Sequence, residues 1–210
     1  MKDLRGLYLI TDESLINQNR YFEIIESVLS LKPNIFQLRI KNRPFNEILY
    51  KSKRIKMLTD KYKTMFILND YVDIALECDA DGVHIGDDDI NFEEARSKIG
   101  SKKIIGVSCY GNLERCRKFL RLGADYIAIG TPYYTKTKPN REPTSFDTMI
   151  DIVSKIKDIP IFAIGGIDSK NIENVLDTGV DGVAVINSVF GTKNPADSLK
   201  ELTAILENRI

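Results

Sequence analysis

The chain has one histidine and three cysteines among its 210 residues, and both shortages narrow the chemistry it can perform. Because His84 is the sole histidine, it is the one residue that could serve as the base of a Ser-His-Asp triad or a Cys-His pair, so catalysis of that kind is not expected. His84 either faces the interior of a barrel or is a core histidine whose hydrogen bonds are satisfied. No catalytic partner is evident in the sequence, which favours the core histidine.

Cys78, Cys109 and Cys116 form no CxxC pair, and any disulfide scheme would leave one thiol unpaired. We therefore expect reduced, structural cysteines in a cytoplasmic protein.

The chain also lacks an excess of charge and a long apolar run. Its 30 Lys and Arg residues balance 30 Asp and Glu residues, so no overall field favours nucleic acid or an anionic membrane surface. No stretch approaches the run of about 18 apolar residues that a membrane span needs, and the first residues contain no apolar signal-peptide core. We therefore expect no nucleic-acid or membrane partner and one globular domain over residues 1–210.

Short apolar, β-branched runs alternate with amphipathic stretches along the whole chain. Eight runs are predicted as strands: residues 7–10, 35–40, 65–68, 82–85, 104–107, 126–129, 161–164 and 183–186. Helical spacing recurs between them, at residues 21–31, 45–62, 92–99, 113–122 and 199–206. Such alternation predicts an α/β domain with parallel strands, and eight repeats predict a single (β/α)8 TIM barrel. The alternative is an open doubly wound sheet, but no GxGxxG motif follows the first run.

Similar segments recur at residues 79–83, 123–127 and 179–183, and they predict loops at the bottom of the barrel. Polar residues collect instead where the strands end, which is the opening where barrel enzymes work. Alternation in residues 36–41 puts Gln37, Arg39 and Lys41 on one face, with Ile40 toward the helical layer. Other strand ends are followed by Asn69, Asp70, Asp87, Asp88, Asp89, Ser108, residues 135–138, Gly165, Gly166, Asn187 and Ser188.

Cations and carboxylates coincide at this predicted opening. Arg39, Lys41 and Lys138 bring three positive charges, while Asp70 and at least one aspartate of residues 87–89 bring negative ones. Mg²⁺ takes one or two protein carboxylates together with water and phosphate oxygens, and Arg and Lys neutralise the remaining phosphate charge. An acidic run alone is more often a solvated helix start. Its coincidence with the cations favours a polyphosphate bound through Mg²⁺.

A second anion site is predicted after the seventh and eighth strands. Barrels often bind phosphate there through backbone N–H groups, and glycine permits close approach. Gly165 and Gly166 follow the seventh strand, and Asn187 and Ser188 follow the eighth. A Gly-Gly pair alone usually means only a tight turn. Two anion sites at one opening would suit an enzyme that joins two small phosphorylated substrates, one activated as a diphosphate.

Nine short motifs extend this picture over nearly the whole chain: YLITD at 8–12, QxRxK at 37–41, ILND at 67–70, DGVHIGDDD at 81–89, IGVS at 105–108, GADY at 123–126, TKTKP at 135–139, AIGGI at 163–167 and DGVAV at 181–185. In this order and spacing they resemble the thiamine-phosphate synthase family of (β/α)8 barrels. The resemblance implies condensation of a 4-amino-5-hydroxymethylpyrimidine diphosphate with 4-methyl-5-(2-phosphoethyl)thiazole, or its 2-carboxy form. The products would be thiamine phosphate and pyrophosphate.

The resemblance also implies roles for individual residues. The pyrimidine diphosphate would be held by Gln37, Arg39, Lys41, Asn69, Ser108 and Lys138. The cofactor Mg²⁺ would be held by Asp70 and Asp89. The thiazole phosphate would be held by Thr135, Lys136, Thr137, Gly166, Ile186 and Asn187. The family's reaction is dissociative, so no enzyme nucleophile is expected, and Arg39, Lys41 and Lys138 would act by stabilising charge on the departing pyrophosphate.

Several positions depart from the family's pattern. Ile40 replaces a Glu, Tyr71 an Arg and Asp87 a Gln, and all three lie beside the assigned ligands. Asn187 replaces the usual Ser of the thiazole-phosphate cradle, where an amide can still donate to phosphate.

Two alternatives use the same barrel. A related thiazole tautomerase has a His two residues after the Ser of the fifth strand, where this chain has Tyr110. A non-catalytic barrel that senses thiazole phosphate would have less need for Arg39, Asp70, Asp89 and Lys138 together. The sequence is compatible with a homo-oligomer.

Overall fold

The structure, a computed structural model, describes residues 4–86, 90–135 and 142–208. Eight parallel strands form a closed barrel in chain order, since the first strand pairs with both the second and the eighth. The strands are β1 Gly6–Ile10, β2 Ile35–Leu38, β3 Met65–Asn69, β4 Gly82–Ile85, β5 Ile104–Tyr110, β6 Tyr126–Gly130, β7 Ile161–Ile164 and β8 Gly182–Val185. The (β/α)8 prediction is confirmed, and the open-sheet alternative is wrong.

Helices surround the barrel. They are α1 Tyr21–Leu29, α2 Phe45–Tyr62, α3 Val72–Glu77, α4 Phe92–Ile99, α5 Leu113–Leu122, α6 Phe146–Lys155, α7 Ile172–Leu176, α8 Asn187–Phe190 and α9 Pro195–Glu207. The helices predicted at 45–62, 92–99 and 113–122 are confirmed to the residue. Nothing in the described ranges is a helix both long and apolar enough to cross a membrane.

The second strand is shorter than predicted. It ends at Leu38, whereas the sequence predicted a strand through residue 40. The backbone pairing of β1 with β2 ends at Gln37. Beyond it, the Arg39 N–H donates to the Thr11 side-chain hydroxyl at 2.9 Å instead of to a backbone carbonyl of β1. Arg39 and Lys41 therefore lie in the loop that follows β2, above the barrel.

Two apolar layers hold the barrel together, one outside the strands and one inside. Leu9, Phe36 and Ile40 belong to the outer cluster, where strands pack against helices. Tyr8 and Phe162 belong to the inner cluster, which fills the barrel. The position of Ile40 toward the helical layer is therefore confirmed.

A repeated polar contact closes the bottom of the barrel. A side-chain oxygen of the residue before each even-numbered strand accepts a backbone N–H from the preceding odd-numbered strand. The donor and acceptor pairs are Leu7 and Asn34, Phe66 and Asp81, Ile105 and Asp125, and Ile161 and Asp181, at 3.0, 2.9, 2.8 and 2.9 Å. The segments that recur in the sequence are thus bottom loops, as predicted, and three of the four acceptors lie in them.

Candidate active site

A large cavity opens at the carboxyl ends of the strands. Its volume is about 1370 Å³, and every strand of the barrel, or the residue at its end, contributes to its lining. Apolar residues such as Ile10, Ala128 and Ile164 alternate with polar ones around the wall. A cavity of this size at this end of a parallel barrel is the usual place for a substrate.

One side of the cavity is cationic. Arg39 and Lys41 line it after β2, and Lys41 Nζ forms an ion pair with the Asp70 carboxylate, whose side chain is 13% exposed. Asp70 has a positive φ of 66°, and its backbone N–H donates to the His84 carbonyl at 2.9 Å. That bond and the backbone conformation that accompanies it help to fix the position from which the carboxylate meets Lys41.

Arg39 differs from Lys41 in its surroundings. Over the ranges that the structure describes, the Arg39 guanidinium has no carboxylate within ion-pair distance. It also lines a second, smaller cavity of about 290 Å³, which Asp12, Lys41 and Arg43 share. A guanidinium placed this way can bind an incoming anion without first giving up a protein partner.

Five polar side chains form a continuous hydrogen-bonded relay across the interior of the barrel. The Gln37 amide nitrogen lies 2.5 Å from the Tyr8 hydroxyl, and that hydroxyl lies 2.6 Å from the Tyr126 hydroxyl. Tyr126 Oη lies 3.0 Å from His84 Nδ1, and His84 Nε2 lies 2.9 Å from Ser108 Oγ. All of these except Tyr126 line the large cavity.

The relay corrects the preference for His84 as a satisfied core histidine over a residue that faces the barrel interior. His84 is only partly buried, lines the cavity and has a partner at each ring nitrogen. The sequence could not show this, because one partner, Tyr126, lies 42 positions away. Tyr8 and Tyr126 were also missed, since each sits in an apolar strand pattern and nothing local marks its hydroxyl as paired.

Burial raises the pKa of both tyrosines in the relay. Desolvation raises the pKa of Tyr8 well above its usual value, although hydrogen bonds from Tyr126 and Gln37 oppose the shift. Desolvation likewise raises the pKa of Tyr126, and the neighbouring Tyr8 adds to the effect. A tyrosine with its ordinary pKa of about 10 is already protonated at neutral pH, and burial extends that neutral form to higher pH.

The opposite side of the cavity is formed by glycines and loop residues. Gly165 and Gly166 both have positive φ, at 121° and 60°. A Cβ on Gly166 would lie 2.4 Å from the Tyr134 carbonyl oxygen, so glycine is required where the loops after β6 and β7 touch. Thr135, Gly166, Ile186 and Asn187, all predicted to hold thiazole phosphate, line this cavity.

The structure thus brings most of the sequence-predicted residues to one cavity. Those it places there are Gln37, Arg39, Lys41, Asn69, Asp70, Ser108, Thr135, Gly166, Ile186 and Asn187. The predictions for Asp89, Lys136, Thr137 and Lys138 lie outside the described residues.

The carboxylate at Asp70 fits the metal predicted from the sequence. Within residues 4–86, 90–135 and 142–208, no group of three or more His, Cys, Asp or Glu side chains could hold a metal ion. Mg²⁺ held jointly by a substrate phosphate needs only one or two protein carboxylates. Asp70 would supply one, because its carboxylate lies beside Lys41, a cation that would neutralise the same phosphate.

A closed parallel barrel with a cavity of mixed polar and apolar lining at its carboxyl end is the architecture of a (β/α)8-barrel enzyme. Residues 7–189 match the family described as thiamine monophosphate synthase, and the chain belongs to that family.

Relatives of nearly full length share this assignment. A thiamine-phosphate synthase from Alkaliphilus oremlandii is 37% identical over 202 residues, covering 96% of each chain. One from Picrophilus torridus is 40% identical over 197 residues, covering 94% of each. The solved structure of a thiamine phosphate pyrophosphorylase from Pyrococcus furiosus superposes with a TM-score of 0.88 at 36% identity, covering 99% of this chain and 98% of the other.

Proposed function

We propose that this enzyme condenses a 4-amino-5-hydroxymethylpyrimidine diphosphate with 4-methyl-5-(2-phosphoethyl)thiazole to give thiamine phosphate and pyrophosphate. With the 2-carboxy form of the thiazole, CO2 is released as well. The observation that carries the proposal is the make-up of the cavity. A cationic side with Arg39, Lys41 and Asp70 faces the same space as the glycine turn at Gly165 and Gly166. Two anionic substrates can therefore be held together, which the condensation requires.

The pyrimidine diphosphate is assigned to the side of the cavity formed by β2 to β5. Arg39 and Lys41 neutralise the diphosphate. Lys138, which lies outside the described residues, is assigned as a third cation from the family resemblance. Gln37 and Asn69 are nearly inaccessible at 2% and 7% exposure, so their amides suit the buried pyrimidine ring better than a solvated phosphate. Ser108, at the end of the relay, completes this set.

Asp70 and Asp89 are the residues that would hold Mg²⁺. When bound, the ion supplies positive charge to the diphosphate oxygens and so makes pyrophosphate a better leaving group. The Lys41–Asp70 ion pair keeps the carboxylate at the cationic side of the cavity.

The thiazole phosphate is assigned to the opposite side. Its phosphate would meet backbone N–H groups near Gly166, with further contacts from Ile186 and Asn187. Thr135 lines the same part of the cavity and would contact this phosphate. Lys136 and Thr137, which lie outside the described residues, are assigned to the phosphate from the family resemblance. Both glycines have positive φ, a backbone conformation that glycine adopts readily and that shapes this turn.

The chemistry we propose is dissociative and needs no enzyme nucleophile. The C–O bond to pyrophosphate breaks, the electron-rich pyrimidine stabilises the resulting carbocation, and the thiazole nitrogen attacks it. Arg39 and Lys41 stabilise charge that grows on the leaving oxygen. Apolar lining residues such as Ile10, Ile164 and Ala184 limit the water that could capture the carbocation.

Titration calorimetry tests whether the two anions have separate sites. Inorganic pyrophosphate with Mg²⁺ and the thiazole phosphate should each bind once per chain, and saturation with one should leave a site for the other. Omitting Mg²⁺ should weaken the binding of pyrophosphate but not that of the thiazole phosphate. Mutually exclusive binding would contradict the two-site assignment.

A further inference from the structure

Starting from the Gln37 amide, one arrangement of protons along Gln37, Tyr8, Tyr126, His84 and Ser108 uses every phenol proton within the relay. Gln37 Nε2 donates to Tyr8, so the only proton of the Tyr8 hydroxyl is left to donate to Tyr126. In that arrangement Tyr126 directs its own proton to His84 Nδ1. A ring nitrogen that accepts carries no proton, so neutral His84 holds its proton on Nε2 and donates it to Ser108.

Packing holds the middle of the relay in place. The Tyr126 ring on β6 packs over Gly106 on the neighbouring strand β5, where a Cβ would lie 1.9 Å from the ring. The ring therefore occupies the space that any larger residue at position 106 would need. The His84 and Tyr126 rings stack, with centroids 5.6 Å apart. Each phenol has one proton to donate, so a change of direction at one member requires a change at the others.

The direction fixes what the two ends offer to the cavity. Gln37 uses its amide N–H₂ on Tyr8, which leaves its carbonyl oxygen as an acceptor. Ser108 accepts from His84, which leaves its hydroxyl proton for donation. In the part of the chain that the structure describes, neither the Gln37 carbonyl oxygen nor the Ser108 proton has a hydrogen-bond partner in the protein. Both residues line the large cavity.

We propose that His84 is a positioning residue whose Nε2–H form sets the direction of the relay, so that the cavity presents an acceptor at Gln37 and a donor at Ser108. The matching ligand carries a donating exocyclic amino group and an accepting ring nitrogen. A 4-aminopyrimidine has both, whereas its 4-oxo analogue has an acceptor in place of the amino donor. The relay therefore selects the amino form, and the identification of this ligand rests on the proposed function.

Nitrogen NMR tests the direction directly, because the chain has only one histidine. In the ¹⁵N-labelled protein at neutral pH, Nε2 should be protonated and Nδ1 unprotonated. Tyr126→Phe removes the donor to Nδ1 and should shift the ring toward the Nδ1–H form. Tyr62→Phe, which removes a hydroxyl bonded to Glu26 on the protein surface, should leave the spectrum unchanged. An Nδ1–H form in the unmodified protein, or no response to Tyr126→Phe, would overturn the proposal.

Substrate discrimination provides the second test. The unmodified enzyme should prefer the 4-amino diphosphate over the 4-oxo analogue in kcat/KM by roughly 10²-fold or more, since a site built around a substrate N–H rejects analogues that lack it. Both His84→Phe and Tyr126→Phe should reduce that ratio by about tenfold, the effect of one misdirected hydrogen bond. A purely structural role would lower kcat/KM for both substrates and leave their ratio unchanged.

The two tests separate failure of this inference from failure of the proposed function. If the unmodified protein makes no thiamine phosphate, the condensation is wrong, and the NMR result still decides the direction of the relay. If it makes thiamine phosphate but Tyr126→Phe leaves the amino-to-oxo ratio unchanged, the condensation stands and the relay does not select the substrate.

Discussion

Arg39 and Lys41 line the same cavity, but their charges are compensated differently. Lys41 is already paired with Asp70, whereas Arg39 has no carboxylate at ion-pair distance among the residues described. Arg39 was predicted from a strand-like alternation, and the prediction placed it at the correct end of the barrel although the strand stops short of it. Alternation involves neighbouring residues, so it could be recognised in the sequence. The hydrogen bond between Arg39 and Thr11 that ends the strand joins residues far apart in the chain, so the sequence could not predict it.

Arg39→Ala should lower kcat by roughly 10²-fold, the usual effect of removing one preorganised electrostatic contact from a transition state. The measurement is steady-state turnover with both substrates saturating. Arg117→Ala is the matched control, because Arg117 lies on α5 in an exposed i,i+3 pair with Glu114. Near-normal turnover of the Arg39 variant would show that this guanidinium does not stabilise the leaving group.

At the scale of the element, the barrel could be predicted but the relay could not. Strand and helix periods are set by neighbours in the chain, and three repeated Asp-containing segments marked bottom loops correctly. Asn34 plays the same part before β2, but it lies in no such repeat and was missed. The relay joins side chains as far apart as Tyr8 and Tyr126, which are separated by 118 positions. Only closure of the barrel brings them together.

The bottom contacts should contribute measurably to stability. Asp181→Ala removes the acceptor of the Ile161 N–H and should lower the free energy of unfolding by roughly 1–3 kcal/mol, the cost of leaving a largely buried donor unpaired. Chemical denaturation measures the change. Asp158→Ala, at an exposed site in the loop between α6 and β7, should change stability far less. Equal effects at the two sites would contradict the structural role given to Asp181.

For the whole molecule, the buried tyrosines make stability depend on alkaline pH. Burial raises the pKa of Tyr8 and Tyr126 in the folded state, while in the unfolded chain a tyrosine titrates near its ordinary value of about 10. Below that pH both states hold the proton, so the contribution is fully present. Above it only the unfolded chain releases the proton, so the free energy of unfolding falls as pH rises.

Tyr126→Phe should therefore flatten the alkaline decline. Removing one such group should reduce the slope between about pH 10 and 12 by at most about 1.4 kcal/mol per pH unit. Urea unfolding at a series of pH values measures the slope. The same alkaline slope in the variant and the unmodified protein would show that this phenol ionises equally in both states.

The central claim is that one cavity joins two phosphorylated substrates, and the most direct test is product formation. The purified protein is mixed with the pyrimidine diphosphate, the thiazole phosphate and Mg²⁺, and thiamine phosphate and pyrophosphate are both quantified. We predict that they appear in equal amounts, and that omitting either substrate abolishes thiamine phosphate. A folded protein that binds both substrates and forms no thiamine phosphate would contradict the account and favour a sensing barrel.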